Sequence, residues 1–198
     1  MNDDYQLWND FRQGDDIAFK QLFERYNRVL YNYGYKFGQN TDLAEDSVQE
    51  LFVKLWYNRA TIGDTISVKN YLFKSLRRIL VRKLERNKRF SPIDSIFGEK
   101  IPFDVELPHD TNLIQKERLQ HFRDQLRKSL SKMSPRQREV VHLRYFEDLS
   151  YDEIAEVMGL SVKHTYKLMY RAIDSLRLHL SDFTFAILTV LLPNWRQS

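Results

Sequence analysis

Residues 150–176 read SYDEIAEVMGLSVKHTYKLMYRAIDSL. Ser150 caps a short helix over Tyr151 to Met158, with Ile154 and Ala155 facing inward. Gly159-Leu160-Ser161 predicts a tight turn, and Ser161 caps a second helix running through Leu176. Two helices that cross at so short a turn need a small residue at the crossing, which Ala155 supplies. They also need a turn residue that enters the left-handed region at little cost, which Gly159 supplies. With Met158, Leu160, Val162, Thr165, Met169, Ala172 and Leu176, these residues fill the apolar template of a helix-turn-helix. The other face of the second helix offers Lys163, His164, Tyr166, Lys167, Tyr170 and Arg171 to a major groove or its phosphates. A purely structural helical hairpin is the rival reading.

Upstream, Ser134-Pro135 with Gln137 marks another helix start: a serine cap, proline at the first helical position and glutamine at the box position. Leu119, Phe122, Leu126 and Leu130 recur at helical spacing before it. Residues 112–180 therefore read as one small helical domain. Residues 90–111 break the pattern with Pro92, Gly98, Pro102 and Pro108, and carry Asp94, Glu99, Asp104, Glu106 and Asp110. They predict an extended linker. Its Ile93, Ile96, Phe97, Ile101, Phe103, Val105 and Leu107 suit either a groove on a partner or the chain's own domains.

Residues 1–89 form the other predicted domain. A short helix over 5–13 stops at Gly14, and Asp15 caps a second, in which Phe19, Leu22, Phe23, Tyr26, Leu30, Tyr33 and Phe37 recur at steps of three and four. Thr41 or Asp42 opens a third, with Asp42 and Glu45 at capping-box spacing and Ala44, Val48, Leu51, Phe52 and Leu55 as its apolar stripe. Ser67 caps a long fourth helix, in which Val68, Leu72, Leu76, Ile79, Leu80 and Leu84 face the core. Lys74, Arg77, Arg78 and Arg82 fall on its other side. The fold class is all-α: two small helical domains joined by an extended linker, with an apolar tail over 181–198.

The chain of 198 residues has 31 Lys plus Arg against 27 Asp plus Glu, a formal charge of only +4. That small excess hides segregation. Residues 69–89 hold nine basic groups and one acid, whereas residues 1–68 hold seven basic groups and eleven acids. A block of +8 in a nearly neutral chain suits a polyanion, though a solvated basic helix would look the same. The absence of cysteine excludes disulfides, thiolate zinc sites and thiol nucleophiles. The five histidines (109, 121, 142, 164 and 179) make no metal spacing, and the six glycines make no phosphate-binding loop. Helical carboxylates at 42–50 could in principle hold a metal, but no second helix supplies the partner ligands. No enzyme activity and no cofactor are expected. The acidic N-terminal segment has no signal-peptide core, and the run over 183–192 is too short to cross a bilayer, so a cytoplasmic protein without membrane insertion is expected.

Residues 14–59, GDDIAFKQLFERYNRVLYNYGYKFGQNTDLAEDSVQELFVKLWYNR, resemble region 2 of a sigma-70 family factor. Residues 130–177, LSKMSPRQREVVHLRYFEDLSYDEIAEVMGLSVKHTYKLMYRAIDSLR, resemble region 4. Two such domains with little else are similar to the extracytoplasmic-function (group 4) factors. The apolar tail resembles that of FecI-like factors from Bacteroidetes, which pair with FecR-like anti-sigma membrane proteins. The resemblance implies a dissociable subunit that binds core RNA polymerase, directs it to promoter DNA and assists melting, under an anti-sigma factor.

By that resemblance Asp42, Glu45, Asp46, Gln49, Glu50 and Phe52 bind core polymerase, docking on the clamp coiled coil of its largest subunit. Trp56, Asn58, Lys74, Arg77, Arg78 and Arg82 bind the −10 element, the loop from Asn58 to Ser67 holding an extruded base, with Trp56 alternatively a core residue. Lys163, His164, Tyr166, Lys167, Tyr170 and Arg171 bind the −35 element, with Arg171 and Arg144 alternatively structural or phosphate-binding. Thr165 and Tyr166 depart from the family's usual residues; the Thr165 hydroxyl then needs a backbone acceptor. The 22-residue linker spans at most ~75 Å at ~3.4 Å per residue, against ~70 Å for two boxes two turns apart. Two rivals remain: an operator-binding helix-turn-helix regulator, which has no need of the 69–89 helix, and a metal-dependent hydrolase.

Overall fold

The computed structural model describes residues 3–87, 125 and 128–179. The linker and the C-terminal tail expected from the sequence lie outside the described residues, as do Leu119, Phe122 and Leu126. Helices with both ends among the described residues are α1 (Asp3–Arg12), α2 (Asp16–Tyr35), α3 (Thr41–Asn58), α4 (Val68–Asn87), α5 (Pro135–Tyr145), α6 (Tyr151–Met158) and α7 (Val162–His179). Among the described residues there is no strand, and no helix is long and apolar enough to cross a membrane. The chain divides into two compact units, the first holding α1–α4 and the second α5 and α7, with the division passing through α6.

The first unit is built on aromatic packing. Trp8, Phe11, Leu30, Tyr33, Phe37, Leu72, Phe73, Leu76 and Leu80 are fully buried. Tyr33 packs on Phe73 and Trp8 on Tyr71, each pair 5.0 Å between ring centres, which locks α2 and α1 onto α4. α2 and α3 approach closely at Gly34, where an added Cβ would stand 3.5 Å from the Cα and Cβ of Ala44. α1 also fixes the connection between α3 and α4: Arg12 Nε donates to the Ile62 carbonyl at 2.8 Å, and Trp8 Nε1 to that of Gly63 at 3.3 Å.

The caps follow local chemistry. Asp15 accepts from the amides of Ile17 and Ala18, and Ser67 Oγ from that of Asn70. α3 differs from expectation. Its cap is Asn40, whose side chain accepts from Leu43 N at 2.8 Å, so Asp42 and Glu45 are exposed residues inside the helix and form no capping box. Phe23, one of the apolar residues recurring along α2, is 38% exposed because the helix buries a narrower stripe than those residues span.

In the second unit Ser134 and Gln137 form the full capping box, with Pro135 opening α5. Ser150 and Glu153 form another at α6: Glu153 accepts from Ser150 N at 2.9 Å, and Ser150 Oγ from Glu153 N at 3.2 Å. Gly159 has φ +65°, and a Cβ there would meet nothing within 4 Å, so conformation rather than space selects glycine. Leu160 N donates to Ala155 O at 2.8 Å and closes that turn. Ile154, Ala155, Met158, Thr165, Met169, Ala172 and Leu176 are buried as the template requires, whereas Val162 is exposed.

Candidate protein and nucleic-acid surfaces

α3 has two working sides because α2 flanks one and α4 the other. Toward α2 opens an apolar groove whose lining includes Phe19, Phe23, Tyr31, Val53 and Tyr57, with Arg28, Glu45 and Gln49 as polar members. Asp42, Glu45, Asp46 and Gln49 are all exposed along this helix. Phe52 is not a projecting contact. It is 4% exposed, edge-on to Phe23 at 4.9 Å and to Phe19 at 6.1 Å, and so forms the groove floor.

Glu50 also departs from the expected acidic face. It meets Lys54 Nζ at 2.6 Å, Lys83 Nζ at 3.4 Å and the Arg82 guanidinium, so it belongs to the α3–α4 side. Partial burial pushes its carboxyl up, but the hydrogen bond and charge of Lys54, with the charges of Lys83 and Arg82, outweigh that. Its pKa is held below the ordinary carboxylate value.

The groove between α3 and α4 brings Lys54, Asn58, Arg78 and Arg82 together over Leu51, Leu55, Ile62 and Ile79. Lys74 and Arg77, half-buried on α4, do not line it. Trp56 is parted from this set. Two helical residues turn ~200°, so Trp56 lines the α2 groove while Asn58 lines the α4 groove. Its ring lies 5.0 Å from that of Phe19, with the Arg59 guanidinium 4.3 Å above it. Trp56 is half-buried here, neither in the core nor on the Asn58 side of α3.

On α7 the six expected nucleic-acid residues, Lys163, His164, Tyr166, Lys167, Tyr170 and Arg171, are all exposed. Thr165 is fully buried, and its hydroxyl donates to the Ser161 carbonyl at 3.2 Å, the acceptor its polarity demands. Ser161 caps the helix through His164 N at 3.3 Å, and its Oγ lies 2.8 Å from His164 Nδ1. Tyr166 stacks on Tyr151 with ring centres 4.1 Å apart, and the Arg144 guanidinium lies 5.3 Å over the Tyr151 ring. An α-helix with an exposed cationic face fits the ~12 Å width of a major groove. Among the described residues no group of three or more His, Asp or Glu is placed to hold a metal.

Residues 22–90 match the model of sigma-70 region 2, and residues 123–176 match that of sigma-70, region 4. The chain belongs to the sigma-70 family. RNA polymerase sigma factor SigV of Bacillus subtilis (strain 168) is 28% identical over 153 residues, 77% of this chain and 84% of that protein. RNA polymerase sigma factor NccH of Alcaligenes xylosoxydans xylosoxydans is 29% identical, over 81% of this chain and 85% of its own. ECF RNA polymerase sigma factor SigW of Bacillus subtilis (strain 168) is 23% identical, over 86% and 93%. The solved structure of CnrH in complex with the cytosolic domain of CnrY shares the fold, with a TM-score of 0.60 at 24% identity, covering 89% of this chain and 96% of that one.

In this ECF sigma factor the region 2 match covers the α3–α4 groove and, apart from Phe19, the α2–α3 groove, and the region 4 match covers α5 through most of α7. Several site residues escape sequence reasoning. Lys54 and Lys83 complete the cluster on Glu50, and only the i, i+4 spacing of Glu50 and Lys54 signals it in advance. Phe23, Val53 and Tyr57 form exposed apolar groove wall, which reads from sequence as ordinary stripe or surface. Tyr151 has no local signal, since its partner lies beyond the turn.

Proposed function

We propose that this ECF sigma factor is a dissociable promoter-specificity subunit whose three surfaces engage three different partners. The observation that carries the reading is the pairing of an acidic α3 face and a cationic α4 groove in one unit with an exposed cationic recognition helix in the other. The exposed Asp42, Glu45, Asp46 and Gln49, beside the apolar α2–α3 groove, meet the clamp coiled coil of core RNA polymerase. Opposite charge gives orientation and on-rate while apolar contact gives affinity. Phe52 supports that groove from beneath.

Asn58, Arg78 and Arg82, with Lys74 and Arg77 further round α4, follow the phosphates of the −10 element. Lys163, His164, Tyr166, Lys167, Tyr170 and Arg171 bind the −35 element. Residues 1–89 and 112–180 act as the two binding domains on either side of the 90–111 linker. An anti-sigma factor is the regulatory partner: CnrH and the RpoE of Bartonella quintana, both of this fold, were solved with CnrY and with the anti-sigma factor NepR. The finer assignment to the FecI-like type, with a FecR-like anti-sigma protein, rests on the sequence of the tail. The reading has the protein working in the cytoplasm and leaves all catalysis to the polymerase.

Adding the purified chain to bacterial core RNA polymerase should give a complex and promoter-specific transcripts from cognate genomic DNA. Failure to form any complex with core enzyme at low and moderate salt would overturn the proposal. Binding to duplex operators as a free dimer would point to a stand-alone regulator instead.

A further inference from the structure

The polar residues of α7 are not presented alike. Lys163, Lys167 and Tyr170 are exposed, and no hydrogen bond, ion pair or ring contact involves their side chains among the described residues. Tyr166 is 47% exposed, yet one ring face is taken up by Tyr151, 4.1 Å away and inclined by 25°. Tyr151 is the first residue of α6, where the reciprocal Ser150–Glu153 bonds fix the helix start. Arg144, on α5, lies over the Tyr151 ring and is itself held by a 3.0 Å hydrogen bond to the Leu149 carbonyl. Residues of three elements therefore meet at the Tyr151 ring: Arg144, held by the Leu149 carbonyl, and Tyr166, whose ring is 47% exposed.

We propose that Tyr151 is a positioning residue for base readout: it holds the Tyr166 ring in one orientation so that its free face and edge contact a thymine methyl in the upstream promoter element. This rests on the reading of α7 as the −35 recognition helix. A tyrosine has no fork of donors to match a guanine edge, and its single hydroxyl finds a donor or acceptor on every base pair, so the discriminating contact of its ring in the major groove is apolar, and the thymine 5-methyl is the apolar mark there. An unsupported ring on an exposed helix turns about two soft torsions and contacts neighbouring base pairs with little preference. Stacking removes that freedom before DNA arrives.

The test uses the full chain bound to bacterial core RNA polymerase and a randomised duplex pool, from which the enriched upstream and downstream boxes are read. Each thymine of the upstream box is then replaced singly by deoxyuridine, which removes only the methyl. For the unaltered protein one such replacement should weaken binding by about threefold to tenfold, the scale of one methyl group taken out of water. Tyr151→Phe keeps the stack and should keep that sensitivity. Tyr151→Leu and Tyr166→Leu should each reduce it to under about twofold at that same thymine, with the downstream box unchanged.

Wild-type methyl sensitivity in Tyr151→Leu would overturn the proposal, as would a uniform loss across the upstream box, which marks a merely structural role. An upstream box with no methyl-sensitive thymine in the unaltered protein would do the same while sparing the −35 reading. No upstream box at all would remove that reading as well. Should Tyr151→Leu fail to fold, Tyr151→Gln, which also removes the ring from this half-buried position, takes its place with the same two outcomes, and Tyr166→Leu checks separately that the stacked ring reads the methyl.

Discussion

α4 and α7 are both long, cationic and partly exposed, but they hold their charge differently. On α4, Arg82 and Lys83 meet Glu50 of α3, and the opposite side of the same helix carries Leu72, Phe73, Leu76 and Leu80 of the core. On α7, Lys163, Lys167 and Arg171 form no ion pair among the described residues, and the inner side is a narrow stripe of Thr165, Met169, Ala172 and Leu176. α4 is thus framework and ligand surface at once, its positive charge partly spent inside the protein. α7 is mainly a presented face. A substitution among the cations of α4 should therefore act on stability and DNA binding together, whereas one on the exposed face of α7 should act on DNA binding alone.

The largest expected effect tests the framework half of that contrast. Leu76→Ala, at a fully buried site, should lower unfolding free energy by about 2–5 kcal/mol, while Tyr170→Ala, at a site 70% exposed, should change it by less than about 0.5 kcal/mol. Denaturant melts of the two variants check this, and equal losses would dissolve the distinction. Next comes the neighbouring face of α3. Asp46→Arg places a cation where a basic coiled coil is to dock, so affinity for core polymerase should fall by about one hundredfold, on the scale of like-charge juxtaposition. Wild-type affinity in a fluorescence titration would remove Asp46 from the docking face.

The third effect is smaller and compares the helices directly. Lys167→Ala should reduce the salt slope of holoenzyme binding to promoter DNA by about 0.9, the signature of one lost phosphate contact. Arg82→Ala should reduce it by less, because Glu50 already screens that guanidinium. Equal slopes for both variants would show that DNA displaces Glu50 completely.

Elements governed by neighbours in sequence were legible. The stripes of α3 and α4, the caps at Asp15, Ser67, Ser134, Ser150 and Ser161, and the Gly159 turn each follow from spacing and short-range hydrogen bonding. Asn40 was missed because Asp42 and Glu45 offered the same box pattern two residues later, while the β-region backbone at Asn40, φ −114°, decides the cap. The division of Trp56 from Asn58 was available from helical geometry alone. Pairings across elements were not. Glu50 reads as one more member of an acidic face until α4 is laid beside it. Tyr151 and Tyr166 become neighbours only once α6 and α7 have been placed.

Glu50 supplies the subtlest test of the contrast, because Lys163, Lys167 and Arg171 of α7 meet no carboxylate among the described residues. The pair it makes with Arg82 and Lys83 is partly exposed, so Glu50→Gln should change stability at neutral pH by less than about 1 kcal/mol. Its pKa is depressed in the folded protein, so the stabilisation it gives is present above the ordinary carboxyl value and is lost as pH falls through the depressed one. Unfolding curves of the unaltered protein should therefore weaken toward acid more steeply than those of Glu50→Gln. The same substitution releases Arg82 and Lys83 toward the nucleic acid, so the salt slope of holoenzyme binding should steepen by up to about one unit, and Arg82→Ala in that background should now cost as much slope as Lys167→Ala. If neither the acid limb nor the slope moves, α4 presents its charge as freely as α7, and the two helices differ only in what lies beneath them.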